Sequence, residues 1–304
     1  MKSKVVASTV VRGAKRGEAH GALYIVDLHS NKVQQMLDWK ADIGWEGRGG
    51  ERGLRGVAVV GEQVYVAGSD ELFAFTPKFQ RVGSFGNAYL KNCHEIYFFE
   101  GLLFLASTGF DSILVFDPAS RNFLSGLNIV RESSGFRAVI FDPNRTGGPA
   151  PSTTVHLNSI IVDDSGIYVA GRNLNMLLRI HDNQVKSVAR LPLNTNNARP
   201  FSRGLLFNDT AKDQFCWVNG SNVVTFDVPR FDAKKLTHTD MKNPAIARQA
   251  FARGLCPLSD TVVAAGSSPA TISIYDLAKR ERVKSVNLTM NVRAAVHGLA
   301  VWPF

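Results

Sequence analysis

Short apolar runs separated by polar turns recur along the whole chain, and no segment carries a sustained helical period. Five of them open on a polar pair: LRGVAVV (54–60), CHEIYFF (93–99), LNSIIV (157–162), SRGLLF (202–207) and ARGLCPL (252–258). A sixth, VHGLAVW (296–302), closes the chain. Each of the first five is followed by a second run ending in small or polar residues: YVAGS, FLASTG, YVAGR, CWVNG and VVAAGSS. A third run then ends in an apolar–Asp pair at Asp117, Asp182, Asp227 and Asp276, and a fourth follows in most units, as in RVKSVNL (282–288). Runs of four to eight residues rich in Val, Ile, Leu and aromatics, bounded by Gly, Asn, Asp and Ser, are strand chemistry with tight turns. Four short strands per repeat make the blade of a β-propeller.

The N-terminal residues supply the missing strands. KVVASTVV (4–11), GALYIVDL (21–28) and KVQQMLDW (32–39) match second, third and fourth strands, with Asp27 in the apolar–Asp position. VHGLAVW supplies the first strand of that blade, so the two ends of the sequence complete one sheet and remove a free edge. The expected fold is an all-β, six-bladed β-propeller in a single domain, residues 1–304, with blades starting near 54, 93, 157, 202, 252 and 296. Aligned on their apolar runs, the blade starts bring Arg55, His94, Asn158, Arg203, Arg253 and His297 to equivalent positions, spaced 39, 64, 45, 50 and 44 residues apart. The long interval holds RESSGFRAVIFDPNRTGGPAPSTTV (131–155), read as an inserted loop because its second half is rich in Pro, Gly, Ser and Thr.

Those six positions should ring the mouth of the central channel. Three arginines and two histidines at equivalent core positions are expensive to desolvate unpaired. Either each arginine pairs with a carboxylate such as Glu95 or Glu51 and plugs the channel, or the ring holds an anionic group. The planar fork of Arg suits carboxylate, phosphate or sulfate. In the functional reading Arg55, Asn158, Arg203 and Arg253 bind substrate, with Arg52 and Trp45 added from the loop 38–56, which also carries Trp39, Glu46 and Arg48. His94 and His297, with Glu95 beside them, are the candidate catalytic groups. A His base with an Arg-stabilised enolate is lyase chemistry, and a metal-bound water would favour hydrolysis. His156 lies two residues before Asn158 and so on the same side of a strand. His94, His156 and His297 are therefore the candidate ligands of a divalent metal ion, a site also open to metal-dependent oxidation. The competing reading is a non-catalytic propeller that binds a ligand or protein partner on the same face, for which Trp39 and Trp45 would serve as aromatic anchors.

Composition narrows the classes. Hydrophobic residues make up 45% and charged residues 20%, a foldable globular balance. Thirty-five Lys and Arg against 26 Asp and Glu give a net charge of +9. The basic residues are scattered through turns such as RGAKRG (12–17) without an aromatic-interleaved stripe, which argues against a nucleic-acid partner. No apolar run is long enough to span a bilayer, and the N-terminal apolar stretch breaks at Arg12, which argues against a secretory signal. Three cysteines far apart, Cys93, Cys216 and Cys256, exclude a disulfide framework and a cysteine-rich zinc module, so a reduced, cytoplasmic protein is expected. No nucleophile elbow, phosphate loop or HExxH motif is present.

The segments HLNSIIV (156–162), FARGLCPLSDTVVAAGSS (251–268) and CHEIYFF (93–99) resemble an uncharacterised family of bacterial conserved hypothetical proteins with HLN-, RGL- and H-D/E-type blade starts. That family is similar to the six-bladed gluconolactonase-like and NHL-like propellers. The resemblance spans the blade starts of most of the chain and implies a propeller with a polar site at the top of its channel. Gluconolactonase-like metal sites use carboxylates and asparagine. Histidines and arginines stand here instead, a departure that argues against lactonase activity.

Overall fold

The computed structural model describes residues 4–40, 53–240 and 247–304. Strands β1 (Lys4–Val11), β2 (Gly21–Asp27) and β3 (Lys32–Trp39) open the chain. The second sheet is β4 (Val57–Val60), β5 (Gln63–Ala67), β6 (Glu71–Phe75) and β7 (Arg81–Gly86). The third has five strands: β8 (Cys93–Phe99), β9 (Leu102–Ser107), β10 (Ser112–Asp117), β11 (Asn122–Glu132) and β12 (Gly135–Phe141). The fourth is β13 (Leu157–Asp163), β14 (Gly166–Gly171), β15 (Met176–His181) and β16 (Gln184–Arg190). The fifth is β17 (Thr195–Phe201), β18 (Gly204–Asp209), β19 (Gln214–Asn219) and β20 (Asn222–Asp227). The sixth is β21 (Arg253–Pro257), β22 (Val262–Ser267), β23 (Thr271–Asp276) and β24 (Glu281–Asn287). Finally β25 (Ala294–Val301) pairs antiparallel with β1, completing the first sheet in the order β25-β1-β2-β3. Six small antiparallel sheets in a ring make the six-bladed propeller that the repeats predict, with the two ends of the chain sharing a blade.

In most blades the two inner strands are largely buried, which is why they read as near-continuous apolar runs. In β1, Val5 and Ala7 pack with Ile272 and Ile274 of the sixth blade. Val6, between them, faces Val64, Val66 and Phe73 of the second. Each interior side chain of this size contributes about 1.5–3 kcal/mol by burial. Trp39 belongs to the same seam: it is buried, with its ring 4.7 Å from that of Phe73. It is a core residue and offers no surface to a partner. The outer strands β7, β16 and β24 are mostly exposed. The apolar–Asp pairs have a local role. Asp27, Asp117 and Asp276 each accept backbone N–H groups two and three residues on, closing the hairpin to the fourth strand.

Two expectations change. The segment 131–155 is not all loop: β11 extends to Glu132, and β12 adds a fifth, outermost strand to the third blade. The fifth blade starts at β17, not at residue 202. Its innermost strand is TNNARPF (195–201), too polar to read as buried, so SRGLLF (202–207) reads as a first strand although its apolar part belongs to β18, the second. The one helical element among the described residues is a single 3-10 turn, Ala233–Lys235, and no helix there is long and apolar enough to cross a membrane.

Candidate functional site

The channel side chains are presented by a shared backbone device. In five of the six inner strands the pairing register slips at one level, leaving His94 and Glu95, Asn158, Asn197 and Ala198, Gly254, and His297 outside the ladder. A bulge re-aims the side chain it carries. Asn197 adopts φ +54 and Gly254 φ +71 at these slips, and His156, just ahead of β13, stands at φ +54. Asp111 holds that last turn in place: its buried carboxylate accepts the Val155 and Leu157 N–H groups at 2.9 and 3.2 Å and the Ser152 hydroxyl at 3.0 Å. Burial raises the Asp111 pKa against these bonds.

Three histidines meet on the axis. The His94 ring centroid is 5.6 Å from that of His156 and 5.6 Å from that of His297. His94 Nδ1 lies 2.9 Å from the Asn92 carbonyl oxygen and 2.6 Å from Thr108 Oγ1. Thr108 gives its own proton to the Leu157 carbonyl, so both neighbours of Nδ1 are acceptors and Nδ1 carries the hydrogen. Arg55 Nη1 is 3.3 Å from both ring nitrogens, which puts the guanidinium over the ring face, because an in-plane approach would collide with Cε1. Burial, followed by the charges of Arg55 and Arg253, holds His94 well below the ordinary imidazole pKa. Burial, followed by Arg253, Arg55 and Arg12, does the same to His297. Both rings are neutral at pH 7.

Above this layer the channel opens into a cup of about 310 Å³ on the face that carries the inter-blade connections. Arg12, Arg172, Arg248 and Arg253 line it with Asn194, Asn196, Thr210 and Phe251, and His297 lies at its floor; no carboxylate is among these described lining residues. Phe251 organises the cations: the guanidinium carbons of Arg12, Arg253 and Arg248 stand 3.8, 5.0 and 5.3 Å from its ring centroid. Stacking on an aromatic face lets several guanidiniums share a small volume. Arg248 is braced behind the cup by Asp213 and by the Thr210 carbonyl at 2.6 Å. Arg172 Nε donates to Asn194 Oδ1 at 2.9 Å.

His94, His156, His297, Arg55 and Arg253 thus lie together in the channel. Of three other candidates, Arg203 is placed elsewhere and Asn158 and Glu95 are engaged by protein groups. Arg203 sits at φ +60 in the exposed turn between β17 and β18, outside the ring, as the shifted blade requires. Asn158 spends its amide on structure, donating to Thr195 O at 3.1 Å and Asn196 Oδ1 at 2.6 Å and so tying the fourth blade to the fifth. Glu95 points away from His94 and pairs with Arg199 at 2.6 Å, while accepting Ile160 N at 3.0 Å and Asn197 Nδ2 at 3.2 Å. Trp45, Glu46, Arg48, Glu51 and Arg52 lie outside the described residues. Among the described residues no three His, Cys, Asp or Glu side chains are arranged to share one metal ion. The histidine trio fits such an ion poorly as its rings stand. Cys93 and Cys216 are buried, and burial pushes both thiols up to about 12, which removes them as nucleophiles.

Sequence reading missed Arg12, Arg248 and Phe251. Arg12 reads as part of a solvated turn, yet it is buried in the connection between β1 and β2. The run ARQAFARG (247–254) interleaves arginines with an aromatic immediately before β21, and that local pattern was the available signal.

No family model and no curated protein matches the chain. Solved structures match its fold over nearly its whole length. In the crystal structure of a nidogen/laminin complex, a chain 11% identical aligns with a TM-score of 0.62 over 97% of both chains. A protein of unknown function from Bacteroides caccae, 12% identical, aligns at 0.60 over 99% of this chain and 98% of its own. A catalytically inactive virginiamycin B lyase from Staphylococcus aureus, solved with quinupristin, reaches 0.46 at 11% identity over 74% of this chain and 67% of its own. At such identities the likeness is one of fold: the chain is a six-bladed β-propeller.

Proposed function

We propose that the upper cup binds the acidic group of an anionic small molecule or oligosaccharide, and that His297 moves a proton in an eliminating or hydrolytic reaction on it. The observation that carries this reading is a cup of guanidinium groups without a lining carboxylate among the described residues, set over a neutral imidazole. Arg12 and Arg253 are the groups for the anion, with Arg172 beside them; Asn196 gives its N–H groups to the Asn194 carbonyl and to Thr210, Thr210 gives its O–H to the same carbonyl, and both shape the wall. The anion also readies the base. A negative charge beside Arg253 offsets part of the repulsion that keeps His297 unprotonated, so its basicity rises when ligand is in place. In an elimination, His297 takes the proton from the carbon next to the acidic group. The electron pair passes onto that group as an enolate held by Arg253, then returns to expel the leaving oxygen from the neighbouring carbon. The imidazolium gives its proton to that oxygen. In a hydrolysis the same nitrogen takes a proton from water. Neither route calls on a metal ion.

The test is a panel of uronate oligosaccharides, sugar phosphates and sulfated sugars, followed by ultraviolet absorbance of a new conjugated double bond and by release of reducing ends. One compound is expected to turn over, with His297→Ala abolishing turnover but retaining binding. Turnover that survives His297→Ala would overturn the assignment of the base. The stacking of three arginines on Phe251 equally suits a platform that captures the anion without chemistry. Binding by the wild type with no turnover across the panel would select that reading.

A further inference from the structure

A cavity larger than the cup, a chamber of about 500 Å³, lies at the opposite mouth of the channel, walled by residues of all six inner strands. His297 borders both spaces, so the layer of His94, Arg55 and His297 is a partition between two chambers. The lower walls are apolar: Val59, Ile96, Leu255 and Leu299 are among them, with the half-buried rings of Tyr97, Phe98 and Phe201. The Glu95–Arg199 pair with Asn197 interrupts them, and His297 closes the end toward the partition. We infer that the lower chamber is a second ligand site, for a neutral, largely apolar small molecule bearing one hydrogen-bond acceptor.

Size and chemistry set that choice. The volume lies in the range of small-molecule pockets, and an apolar wall with few convergent polar groups is their usual composition. The charges of Glu95 and Arg199 cancel, so the chamber has no net charge for an ion to answer, in contrast to the cup. Donors nonetheless outnumber acceptors. Asn197 Nδ2 donates to Glu95, and its Oδ1 accepts Gly254 N–H at 2.9 Å and Asn208 Nδ2 at 3.2 Å. The Arg199 guanidinium carries five N–H groups. Nη2 binds Glu95, while Nε is buried without an acceptor. A carbonyl or ether oxygen on the guest is what this cluster lacks.

The probe is prodan, a neutral naphthalene ketone whose emission reports polarity and hydrogen bonding. Titrated into the full-length protein, it should bind saturably with blue-shifted emission, and saturating sulfate or glucuronate should leave it bound. Val59→Trp and Ala300→Phe narrow the chamber from two different strands, so that one variant serves if the other does not fold. Each should weaken prodan about tenfold or more while the midpoint of anion binding in the cup holds. Arg199→Lys keeps a cation beside Glu95 but loses the fork, and should shift the emission of bound prodan. Absence of saturable binding, unchanged affinity in the folded narrowed variants, or displacement by sulfate would each overturn the inference. The last would place the probe in the cup.

Discussion

His94 and His297 keep their neutral forms in a channel crowded with guanidinium groups, and this has a measurable cost at low pH. Their folded-state pKa values lie below the unfolded imidazole value near 6.5. The unfolded chain therefore binds more protons as pH falls past that value. Stability is full above about pH 6.5 and is lost below it, by up to about 1.4 kcal/mol per pH unit for each ring. Denaturant midpoints between about pH 5 and 8 should show this slope, and the double variant His94→Gln, His297→Gln should flatten it. Glu95 makes a second residue-scale prediction. Its pairing with Arg199 is buried, so Glu95→Ala leaves a guanidinium uncompensated and should cost about 3–5 kcal/mol in equilibrium unfolding. A loss within 1 kcal/mol, about what a surface pair contributes, would contradict that role. Arg203 should behave in the opposite way. It is exposed at positive φ, so Arg203→Gly should be neutral to slightly stabilising and should leave anion binding untouched.

At the scale of the strand, the site depends on bulges that lift one or two residues out of the ladder in five of the six inner strands. His94, Asn158 and His297 were legible because the residues after them form clear apolar runs. The fifth blade was not legible, because its inner strand, TNNARPF, is a channel wall made of amides and a guanidinium. A polar strand has no hydrophobic alternation to announce it, and the next strand took its place in the alignment. Arg12 and Arg248 were hidden for a related reason: they lie in connections, where sequence pattern carries no register. Gly298, next to the His297 bulge, is the tightest point of closure between β25 and its neighbours. A Cβ there would collide with the Arg55 carbonyl oxygen and stand 2.7 Å from Ser8 Oγ. Gly298→Ala should therefore cost about 1–3 kcal/mol in unfolding experiments, and should disturb the cup and the lower chamber together. A stable variant with both spaces unchanged would mean that the closure is looser than described.

For the molecule as a whole, the propeller joins two unlike chambers through one partition. The upper cup is basic and the lower chamber is apolar and internally neutralised, a division that the scattered Lys and Arg of the chain do not announce. The claim on which the functional account rests is that the cup takes an anion and couples its binding to a proton on His297. Calorimetric titration of glucuronate in two buffers of different ionisation enthalpy, at several pH values, tests it directly. Net proton uptake and tighter binding as pH falls are expected, with uptake lost in His297→Gln while binding is retained, and binding lost in Arg253→Met. Absence of binding, or proton uptake unchanged by His297→Gln, would contradict it.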